Sequence, residues 1–544
     1  MKDRRVGVGL KDPVLWLIIA AGAALRLIGL RWGLPGAEQL FSYHPDEVTV
    51  ALPAARMLDT GDLNPHFFNY GPLYIYLVAA AGWLVRGLGL LADSPEQAWG
   101  QLHLAGRVVS VVLGTATIPV VYMLGARLGG RALGLASAAF MAVLPVHAMH
   151  SHFTTVDVTA AFFAAAALWA MIEVTEDGRL GWYLSAGAAV GLAAATKWSL
   201  AAALVPLFAA HLVARGKHGP APPFRRLLAG LAAAVVAFLL VCPYIFSTQQ
   251  GFGFNPEFVQ DLRFEMEHAR EGGTLAFADT GPAWRYHLGR GLPAGLGYAM
   301  AGAAAVGFWV TMVRGGGAGM VLVVWALVAF VSMSASQERF IRYTLPLMPV
   351  AAVCAGACFV WPKPPRWAAL RVALAAVGLA ALGATAWYSV QNVAAFARPD
   401  PRDQAAAWLE PRLKRGVTLG LAEAPWYFTP PFTPYNGGAR SGADFQAWRT
   451  QVPFRVAVTG WDADRLRRTK PDYYVLSDFE SADRVRLEQP DALGLVQALD
   501  DTYDERAVFR PAAVSERLGP RRAAGPPDWL YARPQITIYQ ARRR

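Results

Sequence analysis

The chain has 544 residues, of which 55% are hydrophobic and only 16% charged, with a mean hydropathy of +0.30 and a net charge of +11. Residues 1–397 hold 27 basic and 20 acidic side chains, and the last 147 residues hold the other 23 and 19. Long stretches are too apolar for water, which excludes a soluble multidomain enzyme, a disordered chain and a disulfide scaffold, and predicts a polytopic α-helical membrane protein ending in a soluble domain.

Cys242, Cys354 and Cys358 lie in apolar segments with no zinc or redox spacing and read as small buried side chains. Much of the basic excess falls in short loops, where it sets membrane orientation instead of implying nucleic acid. Val14–Arg31 follows Lys2, Arg4, Arg5 and Lys11 and reads as a first span with a cytoplasmic N-terminus. Further spans are expected near 104–124, 132–148, 158–174, 182–196, 198–213, 227–246, 292–313, 318–334, 344–361 and 368–389, about eleven in all. Alternating them puts the basic connections (Arg127/Arg131, Arg179, Arg215/Lys217/Arg225/Arg226, Arg314, Lys363/Arg366) on the side of the N-terminus, and leaves the C-terminal domain outside. Gly71–Leu91 is apolar enough to cross but would invert every later loop, so it is expected in the outer membrane surface. The predicted units are 1–390, with external loops near 32–103, 149–157 and 247–290, and an extracytoplasmic α/β domain at 391–544.

The first external loop contains His44-Pro45-Asp46-Glu47 and later Asn69-Tyr70-Gly71-Pro72. Asp46 and Glu47 also suit the first turn of a helix over Val48–Leu58, a role compatible with a functional one. In the second external loop His147, His150 and His152 precede Asp157, which heads the next span on the same membrane face. The histidines read either as neutral interfacial residues or, with Asp46, Glu47 and Asp157, as ligands of a divalent metal; no tight His-x-x-x-His spacing favours the second. Cations gather on that face too: Arg26 in the first span, Lys197 between two short spans, and Arg339 and Arg342 before Tyr343. A charge within a span costs ~2.5–3.5 kcal/mol, so such side chains tend to face a cavity and a partner. Arg26, Arg31 and Arg339 also suit snorkelling to the interface.

An outward carboxylate beside cations at the hydrocarbon boundary suits a lipid-linked phosphate donor. Sugar transfer from a polyprenyl phosphate needs a base for the acceptor hydroxyl and positive charge for the departing phosphate. Because phosphate leaves as a stable anion, one catalytic carboxylate suffices, unlike the pair of a glycoside hydrolase.

His44-Pro45-Asp46-Glu47, Asn69-Tyr70-Gly71-Pro72-Leu73, Asp157, Lys197 and Arg342-Tyr343-x-x-Pro346, in that order, resemble the membrane-embedded GT-C glycosyltransferases over roughly residues 13–360. The group is that of the bacterial protein mannosyltransferase-like enzymes (glycosyltransferase family 39) and the aminoarabinose transferase of lipid A. The resemblance implies inverting transfer from an undecaprenyl-phosphate-type sugar at the extracytoplasmic face of the inner membrane, to an acceptor protein, lipid or glycan. It implies Asp46 as base with Glu47 beside it, and Asp157 orienting the acceptor, a histidine or a metal. Lys197 and Arg342 would hold the phosphate, with Arg339, Tyr343, Arg26 and His287 as further candidates, while His44, Tyr70, His150 and His152 would serve the acceptor or support the catalytic acids. His150 and His152 stand where many relatives carry Arg or Ser, which leaves a metal, with Asp46, Glu47, His150 and Asp157 as its candidate ligands, an open question.

Pro256–Arg270 reads as an amphipathic helix over the cavity or the membrane surface. In the C-terminal domain a helix is expected at Ala405–Leu413, and strands at Val417–Leu421, Pro471–Leu476 and Ile536–Tyr539; Trp426, Tyr427, Phe428, Phe432 and Tyr435 form an aromatic loop suited to packing or to a sugar platform. The alternative function, a transporter or flippase of a lipid-linked substrate, predicts repeated halves and ionisable groups near mid-bilayer, whereas these acids lie in loops at one face.

Overall fold

The computed structural model describes residues 11–36, 39, 41–217, 222–247, 253–360, 368–432, 452–520 and 525–542. Lys2, Arg4, Arg5, Lys363, Arg366, Tyr435, Arg543 and Arg544 lie outside the described residues.

The first apolar helix runs from Pro13 to Leu27, started by the Asp12 carboxylate, which accepts the Val14 N–H at 3.1 Å, and by Pro at its first position. It is followed by Glu47–Thr60, Leu73–Gly87 and a helical stretch over Pro95–Ala142. That stretch is a hairpin: Gly129 and Gly130 leave helical geometry, and Gly130 takes φ 76° and ψ −172°, which only glycine adopts readily. Arg131, just past the turn, pairs with Asp12 at 2.6 Å, so the turn lies at the end of the bundle where the first helix begins.

Counting this hairpin once, six helices among the described residues are long and apolar enough to cross a membrane. Pro13–Leu27, Leu73–Gly87, Leu180–Ala194 and Trp198–Ala214 are apolar but shorter. The span expected at 292–313 is not continuous: Ala283–Leu296 and Tyr298–Arg314 meet at 116°, because Gly297 adopts φ 73° and ψ 155° between them. Between Leu180–Ala194 and the 3₁₀ turn Trp198–Ala203, Lys197 stands in extended backbone, at the interruption read from sequence. Small residues let the helices approach closely. A Cβ on Gly187 would lie 1.9 Å from the Gly230 carbonyl oxygen, and one on Gly307 would lie 1.7 Å from that of Cys354.

The C-terminal region folds around a five-stranded sheet in the order Arg455–Val458, Thr418–Leu421, Tyr473–Ser477, Ile536–Ala541, Tyr503–Phe509. The first three are parallel and the last two join antiparallel. Its first helix is Pro401–Leu409, displaced from the expected 405–413 because Asp400 caps it and Pro401 occupies its first position. Ala463–Thr469, Asp478–Arg486 and Pro490–Thr502 complete the helices named here. Tyr427, Phe428 and Phe432 are buried, with Tyr427 packed on Phe479 and Tyr531, so these aromatics serve packing.

A buried polar clasp ties this region to the first loop. Arg402 holds Asp400 through Nε at 2.8 Å and stacks over the Tyr43 ring at 3.6 Å. The Trp32 indole N–H donates to Asp400, and the Tyr43 hydroxyl donates to Asp403.

Candidate functional site

Asp46 ends the first-loop turn and leads into Glu47–Thr60 without capping it through its side chain. Its carboxylate instead pairs with Arg342 at 3.2 Å and keeps about a quarter of its surface exposed (26%). Arg342 follows Phe340, in the 3₁₀ turn Ile341–Leu347, and its guanidinium lies 3.8 Å from the centroid of the Phe340 ring. Lys197 Nζ, presented by the break between two short helices, meets Asp157 Oδ1 at 2.8 Å and lies 4.6 Å from the Tyr343 centroid. Tyr70 has Asp46, Arg342, Tyr343 and Asp157 as its charged and polar neighbours. Two acid–cation pairs from distant parts of the chain therefore converge on one end of the bundle.

Below them opens a cavity of about 280 Å³, mostly apolar in its lining, with Tyr70, Lys197, Tyr343, Trp325 and Ala329 among its walls. The helix Pro256–Glu271 roofs it with Leu262, Glu265 and Met266. It is held there by the Phe68 N–H donating to Asp261 at 2.7 Å, the Asn69 amide donating to Glu265 at 2.7 Å, and the Gln337 N–H donating to the Ala269 carbonyl. Glu257 and His66 add a 2.8 Å contact.

The histidines divide. His44 accepts the Asp46 N–H at Nδ1 (3.3 Å), which leaves its proton on Nε2, and its ring packs on Phe153 (4.2 Å) and Tyr531 (5.0 Å). Burial lowers its pKa and keeps it neutral despite Asp46 and Glu47 nearby. His150, fully buried beside Asp157, has its ring centroid 6.5 Å from that of His44. His152 is placed differently from expectation: its ring nitrogens face the Ala148 and Ile28 carbonyls at 2.9 and 2.8 Å and its ring stacks on Phe396.

Four further candidates have other surroundings. Glu47 pairs with Arg107, not with Arg342 as Asp46 does. Completely buried, it takes a two-pronged grip from Arg107 (2.8 and 2.7 Å), the Thr154 N–H (2.7 Å) and the Ser42 hydroxyl. Burial pushes its carboxyl up, but the Arg107 guanidinium outweighs this and holds it at about 2. Arg26 is spent inside the bundle on the Gly22, Ala142 and Met141 carbonyls and His147 Nδ1. Arg339 turns to Thr280, Phe277 and Gln337. His287 lies in the π-helical turn 287–291, with its ring against Tyr286 and Gly291.

Arg107 and Asp528 escaped the sequence reading. Arg107 stood within an expected span, so the rule that a membrane charge has a partner pointed to it. Asp528 carried no local signal. Among the described residues no three His, Cys, Asp or Glu side chains converge as a metal set; Asp46 and Asp157 face an arginine and a lysine.

The sequence profile of the dolichyl-phosphate-mannose-protein mannosyltransferase family matches residues 81–246. No curated protein sequence matches the chain. Among solved structures, ArnT from Cupriavidus metallidurans bound to undecaprenyl phosphate is similar with a TM-score of 0.51 at 19% identity, over 97% of this chain and 98% of that one. Its apo state gives 0.49 at 18%, over 96% and 97%. The Archaeoglobus fulgidus oligosaccharyltransferase in its apo form gives 0.47 at 14%, over 92% and 74%. The chain thus has the helical membrane fold of the GT-C glycosyltransferases, the group that its motifs resemble.

Proposed function

We propose that the chain is an inverting glycosyltransferase that moves a sugar from a polyprenyl-phosphate-linked donor to an acceptor hydroxyl at the extracytoplasmic face of the inner membrane. The observation that carries this reading is the pairing of Asp46 with Arg342 and of Asp157 with Lys197, beside an apolar cavity that Lys197 and Tyr343 line. ArnT, whose fold the chain shares, binds undecaprenyl phosphate, and that class of carrier is assigned here to the donor.

The polyprenyl tail would occupy the cavity, with the phosphate at Lys197, Arg342 and Tyr343. An incoming phosphate competes for Arg342 and frees the partly exposed Asp46 carboxylate to take the proton of the acceptor hydroxyl. The acceptor oxygen bonds to the anomeric carbon from the opposite face as the bond to the phosphate oxygen breaks. Its electrons stay on the phosphate, stabilised by the two cations without an acid donating to it. Asp157 holds Lys197 in place, and Tyr70, His44 and His150 offer neutral polar groups beside the reacting centre. Residues 391–544 would then stand outside the membrane over the site.

The test is Asp46→Asn in the full chain, followed by mass spectrometry of co-purifying lipids. The expected result is loss of transfer with a trapped polyprenyl-phosphate sugar, which would name sugar and carrier. Transfer at the normal rate refutes the assignment, and movement of an unaltered donor across the membrane identifies a transporter instead.

A further inference from the structure

Arg342 has a second acidic neighbour, and it comes from the far end of the chain. Asp528, in the 3₁₀ turn Pro527–Ala532, accepts the Ile341 N–H at 3.0 Å and the Arg342 N–H at 3.3 Å. Its Oδ2 also lies 3.8 Å from Arg342 Nη1. The carboxylate thus grips the backbone that launches Arg342 and stands within ion-pair distance of the guanidinium.

The turn carrying Asp528 is pinned on both sides. Trp529 Nε1 and Arg533 Nη2 both donate to the Asn392 side-chain oxygen at 2.7 Å, on the end of the helix Ala368–Val393. Arg402 Nη2 donates to the Tyr531 carbonyl at 2.9 Å, and the Tyr531 ring packs on His44, two residues from Asp46. A charged group held by so many fixed partners cannot follow Arg342 if the guanidinium drifts; it sets where the guanidinium stays.

We propose that Asp528 is a positioning residue of the transfer site: by holding the Ile341 and Arg342 backbone N–H groups it fixes the turn that presents Arg342, so that the phosphate meets a preset cation. The C-terminal region thereby completes a centre otherwise built from membrane helices and loops. Burial raises the Asp528 carboxyl to about 6, against Arg342 and the two backbone donors that lower it. This inference rests on the reading of the site as a polyprenyl phosphate site.

Asp528→Asn separates position from charge. Removing a negative charge beside a bound anion strengthens binding if charge alone matters; loosening the turn that presents Arg342 weakens it. The measurement is the affinity of the full chain in nanodiscs for undecaprenyl phosphate by native mass spectrometry. The expected result is binding weaker by about ten-fold in Asp528→Asn. Equal or tighter binding overturns the proposal. Should the Asn variant fail to fold, Asp528→Glu keeps the charge but displaces it by one methylene; weaker binding is expected, and wild-type affinity overturns the proposal. Arg342→Gln is the control. If it binds as the wild type does, or the wild type does not bind, the phosphate-site reading itself fails and the proposal with it. If Arg342→Gln loses binding while the Asp528 variants match the wild type, only the positioning role falls.

Discussion

Asp157 and Lys197, forty positions apart in the chain, meet at 2.8 Å, with the carboxylate almost wholly buried and the ammonium beside the Tyr343 ring. Breaking one half of such a pair strands the other in low dielectric at a cost of ~3 kcal/mol or more. Lys197→Met is therefore expected to lower the thermal midpoint in detergent and abolish transfer. The double variant Lys197→Met/Asp157→Leu should recover most of the midpoint but none of the activity. Recovered activity would show the pair to be only structural.

Glu47 and Arg107 are a buried ion pair with a different consequence. The Glu47 carboxyl is depressed to about 2 from its usual 4.5, so the ionised form is the one the fold stabilises. Its contribution is complete above about 4.5 and is lost as the pH falls through about 2. The wild-type midpoint should drop across that window, and Glu47→Gln, already destabilised at neutral pH by ~3 kcal/mol, should drop less. Parallel curves for the two proteins would remove Glu47 as the cause.

Gly71 belongs to the Asn-Tyr-Gly-Pro run, and the fold gives its physical reason. A Cβ there would stand 2.0 Å from the Ala195 carbonyl oxygen, the same oxygen that accepts the Leu73 N–H at 3.1 Å. Gly71→Ala must push Tyr70 and the start of the helix Leu73–Gly87 away from the Lys197 interruption, at a cost of ~1–3 kcal/mol. Reduced thermal stability together with weaker binding of undecaprenyl phosphate is expected. Wild-type values for both would contradict the close contact.

Ala329, on the helix Gly316–Ser334, lines the cavity under the roof helix. Ala329→Trp fills part of its volume, and binding of undecaprenyl phosphate should weaken by about ten-fold with little change in the thermal midpoint. Unchanged binding would place the lipid elsewhere.

The order of apolar segments, the interruption at Lys197, the amphipathic helix at Pro256–Glu271 and the separate character of the last 147 residues were all legible in the linear chain, because hydropathy, periodicity and charge density are local properties. The collection of acids and cations was legible too, as charges placed where a membrane protein has reason to avoid them. Which acid serves which cation was not. Asp46 and Glu47 are neighbours with the same chemistry, yet a helix start turns one toward Arg342 and seals the other against Arg107. Arg26 and Arg342 were both candidates for the phosphate, and only packing spends the first on backbone carbonyls. Asp528 lies 186 positions from Arg342, and no local pattern carries a contact across that separation. Composition and periodicity determine what kind of molecule this is; the pairing of buried charges, and with it the site, is decided by long-range geometry, because the cost of an unpaired buried charge is met only where the tertiary fold brings its partner.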